Sequence, residues 1–283
     1  YDDPMWDTLL DQMSYEEQAS LVLDSYHRFR GVESIHLKES RQENGAVGIV
    51  RREESIYAIP NSNVKDWRFV SYPSASVLAS TFNVDLVREI GEHIGEDMFY
   101  LGYNGIYGPC GNIHRTPFGG RNWECFSEDS LLSGLIGTSM VKGIKKLGNI
   151  VFVKHFAFNE TETNRRHVAI YSNEQAARET YLSVFELLFR EGKADGTMTS
   201  LTRAGTKWCG MSYPLLTQIL RKEWGFSGIV ITDMMNTEYM SPVDALLAGT
   251  DAFDGMENPE KLFSGYEKDS RLAFWLRKAS KTI

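Results

Sequence analysis

Several polar side chains stand where short apolar runs end, and their types are those that bind or attack polar ligands. Asp233 closes the run GIVIT at 228–232. A carboxylate leaving an apolar strand is costly unless it has a partner or a role, so Asp233 either caps the element that follows or faces a ligand. Lys154 and His155 end NIVFVKHF at 149–156, and Thr199 and Ser200 end GTMTS at 196–200. Adjacent residues on a regular strand point to opposite faces unless the strand twists or bulges. One of Lys154 and His155 is therefore open to a structural role beside an acid. Arg121 and Glu124 lie in the glycine-bearing loop FGGRNWECFSED. An Arg fork grips two hydroxyls or holds a carboxylate, and a loop-ordering salt bridge fits the same pair. Arg165 and Arg166 follow FNETETN as solvated charges or as cations for a polar ligand.

The elements that must position these groups read as alternating strands and helices. Apolar positions at helical spacing over 4–24, with Ser14 and Glu17 in a capping-box pattern, predict a helical lead-in within 1–40. Residues 41–283 repeat a β-rich run followed by an amphipathic stretch. Strands are predicted at 46–50, 103–109, 149–156, 196–200, 228–233 and near 249–255, and helices at 84–101, 130–147, 173–191 and 213–224. The stretches 67–80 and 265–283 remain for irregular or helical closure. No G-x-G-x-x-G or G-x-x-x-x-G-K-[ST] occurs, so a nucleotide-binding sheet lacks its phosphate cradle. The fold class is therefore α/β, a (β/α)8 TIM-type barrel of irregular build in a single domain. In such a barrel the strand C-termini form one functional rim, where Lys154, His155, Thr199, Ser200 and Asp233 all fall.

The 283 residues carry 30 Lys and Arg against 38 Asp and Glu, a formal charge of -8, with no long basic run. That leaves no electrostatic footprint for nucleic acid. No stretch approaches the roughly 18 apolar residues of a membrane span, and the first residues do not read as a signal peptide; the compartment stays open. Cys110, Cys125 and Cys209 are odd in number and lack zinc-site spacing, which predicts buried free thiols. His114, His155 and His167 have no ligand-like spacing either, so neither a metal nor a cofactor is called for.

Seven stretches in one order resemble the barrel domain of family 3 glycoside hydrolases: LLDQMSYEEQASL, QENGAVGI, YPSASVLASTFN, the long segment from GEDMFYLGYNGIYGPCGNIHRTP to FGGRNWECFSED, VKHFAFNETETNR, MTSLTRAGTKW and LRKEWGFSGIVITD. The resemblance implies a β-glucosidase-like retaining mechanism with Asp233 as nucleophile. It implies Asn44, Arg121, Lys154, His155 and Arg165 as ligands of a β-glucoside or related oligosaccharide, with Asn159 and Glu162 as weaker matches. The family's acid/base Glu stands on a second, α/β sandwich domain, and no such domain is read in this chain. A separate or excised domain carrying it is the implied partner.

Three departures bear on this. Asn44 stands where the family has Asp, so a hydrogen-bonding group remains without the charge. Leu201 replaces an aromatic residue whose hydroxyl could touch the nucleophile. The loop after Phe156 lacks the H-G-D-T-like segment of the acetylglucosaminidase branch. Beside the enzyme stand a barrel that binds sugars without efficient turnover, and a structural barrel with a decayed site.

Overall fold

The structure is a computed structural model and describes residues 3–45, 47–50, 70–235, 239–255 and 269–283. The chain enters through two short helices, α1 (Met5–Leu10) and α2 (Tyr15–Leu23). The turn between them is fixed by a reciprocal cap: Glu17 N–H donates to Ser14 Oγ at 3.1 Å, and Ser14 N–H donates to Glu17 Oε2 at 2.9 Å. The lead-in is α-helical only to Leu23, with a 3-10 turn further on at Glu33–Ile35. Beyond Leu23 the chain forms strand β1 (Arg28–Phe29), which pairs antiparallel with β2 (Ser40–Asn44).

From β2 onward the main sheet is parallel. β3 (Gly105–Cys110), β4 (Ile150–Phe156), β6 (Gly196–Thr199) and β9 (Ile229–Thr232) follow it, in the order β1-β2-β3-β4-β6-β9. Helices cover its outside, so the strands are buried throughout except at Ile150 and the ends of β2. Such strands read as apolar runs rather than as alternation. Three two-residue strands, β5 (Ala169–Ile170), β7 (Arg203–Ala204) and β8 (Lys207–Trp208), form a small second sheet from the loops that leave β4 and β6. This is the irregular (β/α)8-type barrel the sequence predicts.

The helices at 84–101 and 130–147 fall where the periodicity puts them, as α4 (Val84–Leu101) and α5 (Ser130–Ile144), the latter ending in a 3-10 turn. α3 (Ala75–Ala79) precedes them. Asn83 caps α4 and Asp129 caps α5 through their side-chain oxygens. α4 and α5 touch backbone to backbone: a Cβ on Gly143 would lie 2.2 Å from the Arg88 carbonyl oxygen, and one on Gly91 2.6 Å from that of Met140. The predicted helix at 173–191 is α6 (Glu174–Ala176) and α7 (Ser183–Arg190), joined by a π turn, and 213–224 is a wide π-type helix over Pro214–Glu223. α8 (Pro242–Ala248) and α9 (Ser270–Thr282) close the chain against α2.

Three expectations are corrected. The strand predicted at 46–50 lies upstream, at Ser40–Asn44, and 47–50 is irregular. Gly45 there packs so closely on Ile106 that a Cβ would sit 2.3 Å from its Cδ1, and the chain turns away. The stretch 249–255 is not a strand but a single bridge, Ala252 to Ile231. Cys110 and Cys125 are not free thiols: they form a disulfide with Cα atoms 4.9 Å apart, and Cys209 is the buried free cysteine. The loop after β3 returns Cys125 alongside Cys110 in a parallel bridge, a closeness the spacing of 15 residues does not reveal. The parts of the sequence expectations that fall on Ala46, 67–69 and 265–268 lie outside the described residues.

Candidate functional site

Each predicted site residue stands at the C-terminal end of a strand or in the loop that follows it. Asn44 ends β2, Lys154 and His155 lie in the last turn of β4, and Asp233 is the first residue beyond β9, its N–H donating to the Thr199 carbonyl at 3.2 Å. Arg121 leads a 3-10 turn, Asn122–Glu124, in the loop after β3. Gly120 before it has φ +83, which only glycine adopts without strain. Arg165 lies in the loop after β4.

These loops meet through charges. Glu124, 4% exposed, is the hub: its Oε1 lies 2.7 Å from Lys154 Nζ, and its Oε2 accepts from Arg121 Nε at 2.7 Å and pairs with Arg121 Nη2 at 2.6 Å. Lys154 also reaches Asn44 Oδ1 at 3.4 Å. Arg121 extends Nη1 to His155 Nε2 at 3.1 Å and to Glu162 Oε1 at 3.6 Å. Glu162 in turn holds Arg165 Nη1 at 3.0 Å and accepts from Asn159 Nδ2 at 2.8 Å. Asp233 Oδ2 lies 3.8 Å from His155 Nε2 and 3.9 Å from Arg165 Nη1. All six predicted residues thus belong to one connected cluster.

Lys154 and His155 meet the exception that adjacent strand residues allow. The pairing of β4 with β6 shifts register between Lys154 and Phe156, so the strand is irregular where the two residues sit, and both side chains enter the cluster. Thr199 and Ser200 are turned inward instead, Ser200 Oγ donating to the Ala157 carbonyl at 2.6 Å. Of the two arginines, Arg165 reaches Asp233, while the Arg166 carbonyl accepts from Arg203.

Electrostatics sort the roles. Burial alone would raise the Glu124 carboxyl, but Lys154 and Arg121 overcome it and hold it below the ordinary carboxylate range. Burial lowers the Lys154 ammonium, opposed by Glu124. Burial, with Arg121, Lys154 and Arg165 alongside, puts His155 well below its ordinary value, so the imidazole is neutral and its Nε2 can accept from Arg121. Asp233 differs from the paired acids. Its Oδ1 accepts the Met234 N–H at 2.7 Å, and its Oδ2 has no hydrogen-bond partner among the described residues. One carboxylate oxygen is therefore anchored while the other faces cations at ion-pair distance.

Two contributors escaped the sequence reading as site residues. The sequence offers Glu124 as a salt-bridge partner of Arg121, a pair the structure contains, but not as the hub that also meets Lys154. Tyr239 carries no motif, yet its hydroxyl donates to the Leu201 carbonyl at 2.9 Å and its ring lies under Arg203 at 4.2 Å, beside the position where an aromatic residue was noted as missing.

Comparison with known proteins places the geometry in a family. The description "Glycosyl hydrolase family 3 N terminal domain" matches residues 64–252. A probable beta-glucosidase I of Aspergillus flavus is 32% identical over 244 residues, covering 86% of this chain and 28% of that protein. A beta-glucosidase of Ruminococcus albus is 39% identical over 163 residues, 58% of this chain and 17% of its own length. Among solved structures, beta-glucosidase 3B from Thermotoga neapolitana in complex with glucose aligns with a TM-score of 0.90 at 28% identity, over 98% of this chain and 42% of that one. The chain therefore spans less than half the length of these relatives, and over that span it belongs to glycosyl hydrolase family 3, as an N-terminal-domain barrel.

Proposed function

We propose that the chain is the barrel part of a retaining β-glycosidase of β-glucosidase type, with Asp233 as the nucleophile. Asp233 Oδ2 attacks the anomeric carbon, the bond to the leaving oxygen breaks, and a covalent glycosyl ester forms; water then releases the sugar with the original configuration. Lys154, Arg121, His155, Arg165 and Asn44 bind the ring hydroxyls. The observation that carries this reading is the Oδ2 of Asp233, which has no hydrogen-bond partner among the described residues and lies 3.8 Å from His155 Nε2 and 3.9 Å from Arg165 Nη1.

Protonation of the leaving oxygen needs a second carboxyl group about 5 to 5.5 Å from the nucleophile. Glu124 and Glu162 are each tied to arginine, so neither carboxyl stands free beside the nucleophile. We assign the general acid to a further α/β sandwich domain, in the same protein or as a separate chain; the greater length of the relatives supports this. The same pairing of Glu124 and Glu162 favours, as a second reading, a barrel that holds sugars with little turnover.

Incubation with a 2-fluoro β-glucosyl ester bearing an activated leaving group tests the first reading, because departure then needs no proton. Mass spectrometry is expected to find one adduct, on the peptide bearing Asp233. A folded chain that binds glucose but takes no label would leave the second reading.

A further inference from the structure

At His155 the β4 ladder is broken. On one side β4 pairs Lys154 with Met198 and next Phe156 with Thr199; on the other, pairing ends at Cys110 and Lys154. His155 is 3% exposed, so water cannot replace the strand partners its backbone lacks. Asn112, in the loop after β3, replaces both. Its Oδ1 accepts the His155 N–H at 3.0 Å, and its Nδ2 donates to the His155 carbonyl at 3.1 Å. The remaining Nδ2 hydrogen goes to Glu160 Oε1 at 3.3 Å. Glu160 is 8% exposed and takes no part in the charge cluster.

We propose that Glu160 is a positioning residue for His155, acting through Asn112. A reversed Asn112 amide would set its oxygen against both the His155 carbonyl and the Glu160 carboxylate, acceptor against acceptor in each case. An ionised Glu160 therefore adds a charged acceptor to the orientation that the His155 N–H and carbonyl already select, and it holds Asn112 in its grip on His155. Protonation removes that charge from the contact, and the grip loosens. The proposal rests on the reading of His155 as a sugar ligand only for its catalytic consequence.

The surroundings make this titration accessible. Burial pushes the Glu160 carboxyl up from 4.5 to about 7, against the Asn112 hydrogen bond and the Arg115 guanidinium. Arg115 comes from the same loop as Asn112 and lies 5.9 Å from the Tyr181 ring. Of the other ionisable groups nearby, His114 bonds the Cys125 carbonyl, and Glu162 on Glu160's own loop is turned to Arg121 and Arg165. From the third side the Gly119 backbone packs on the Glu160 carbonyl.

Two measurements on the full chain test it. The backbone amide resonance of His155, followed by NMR from acid to alkaline pH, is expected to step with a midpoint near 7 in the wild type and to show no step in Glu160→Gln. Labelling by the fluoro-glucosyl ester at pH 8, resolved into saturating rate and half-saturating concentration, is expected to show the latter raised about tenfold or more in Glu160→Ala. A shift of about 1 Å in a contacting group costs up to roughly 10²-fold. Glu160→Gln, which keeps an acceptor but not the charge, is expected to recover only part of it. A step that persists in Glu160→Gln, or an unchanged half-saturation in Glu160→Ala, overturns the proposal. Should no form be labelled while the step still vanishes in Glu160→Gln, the catalytic reading fails and the positioning of His155 stands. If Glu160→Ala does not fold, the NMR comparison decides alone.

Discussion

Two buried ion pairs sit at opposite ends of the strands and differ in what is left over. At the strand-entry end, Arg221 Nη2 meets Asp251 Oδ2 at 2.5 Å; Asp251 also accepts the Val230 N–H, and Arg221 donates to the Gly228 and Gly249 carbonyls. Most of the donors and acceptors there are used against backbone, which ties β9 to the turn before Ala252. At the exit end, Lys154 and Glu124 are as buried, but their neighbours are Arg121, Asn44 and His155, side chains that end near a carboxylate oxygen with no hydrogen-bond partner among the described residues. A buried pair saturated by backbone is a fastener. A buried pair surrounded by incompletely bonded side chains holds groups ready for something else.

That contrast can be broken by substitution, and the largest effect concerns the group the exit-end pair helps to present. Asp233→Asn is expected to abolish adduct formation, a loss on the order of 10⁴-fold or more as for other removed nucleophile or triad groups, with a melting temperature close to wild type. Next come the pairs themselves. Leaving one partner of a buried pair alone costs about 3 to 5 kcal/mol, so Glu124→Gln and Asp251→Asn should lower stability in denaturant titrations alike. Glucose affinity, read by calorimetry, should fall only in Glu124→Gln. Replacing the whole pair, Glu124→Gln with Lys154→Met, should recover stability without recovering sugar. Equal loss of affinity at both ends would erase the distinction.

A smaller effect is set by Glu160. Its folded-state value of about 7 against an ordinary 4.5 means that the unfolded chain gives up this proton first as pH rises. Its contribution to stability is intact below about 4.5 and is lost as pH climbs through 7. Glu160→Gln should therefore match wild type in acid and exceed it by roughly 3 kcal/mol at pH 8; a constant difference across pH would refute this. The smallest change is Asn44→Asp. Placing a carboxylate beside Lys154 makes a charge-assisted contact and should tighten glucose binding severalfold, about 1 kcal/mol.

Periodicity made α4 and α5 legible because each buries one face and carries its own cap. Asp233 was legible because a charge directly after a buried strand with three apolar residues out of four has few bland explanations. β2 was not. Its sequence, SRQEN, is polar; its buried middle is held by Glu43, whose Oε1 meets His27 Nδ1 at 3.2 Å, and by Gln42, whose Nε2 donates to Ser40 Oγ of the same strand. Neighbouring AVGIV looked more like a strand than the strand did. Glu124 was hidden for a related reason: its importance lies in Lys154, thirty residues away, and no local spacing announces that contact. The joining of Cys110 to Cys125 likewise depends on the path of a loop and not on residue type.

That disulfide bears on how the rim loop holds its shape. Between the two cysteines the chain makes only one short 3-10 turn, Asn122–Glu124, yet it carries Arg121 and Glu124. Cross-linking two positions 15 apart removes loop-closure entropy from the unfolded chain worth about 3 kcal/mol in the simplest account. Much of the order of this loop is thus supplied covalently, in advance of packing. The reduced chain would have to restrict the same residues through contacts alone, so the charge cluster is sensitive to the thiol chemistry of its surroundings although neither sulfur belongs to it.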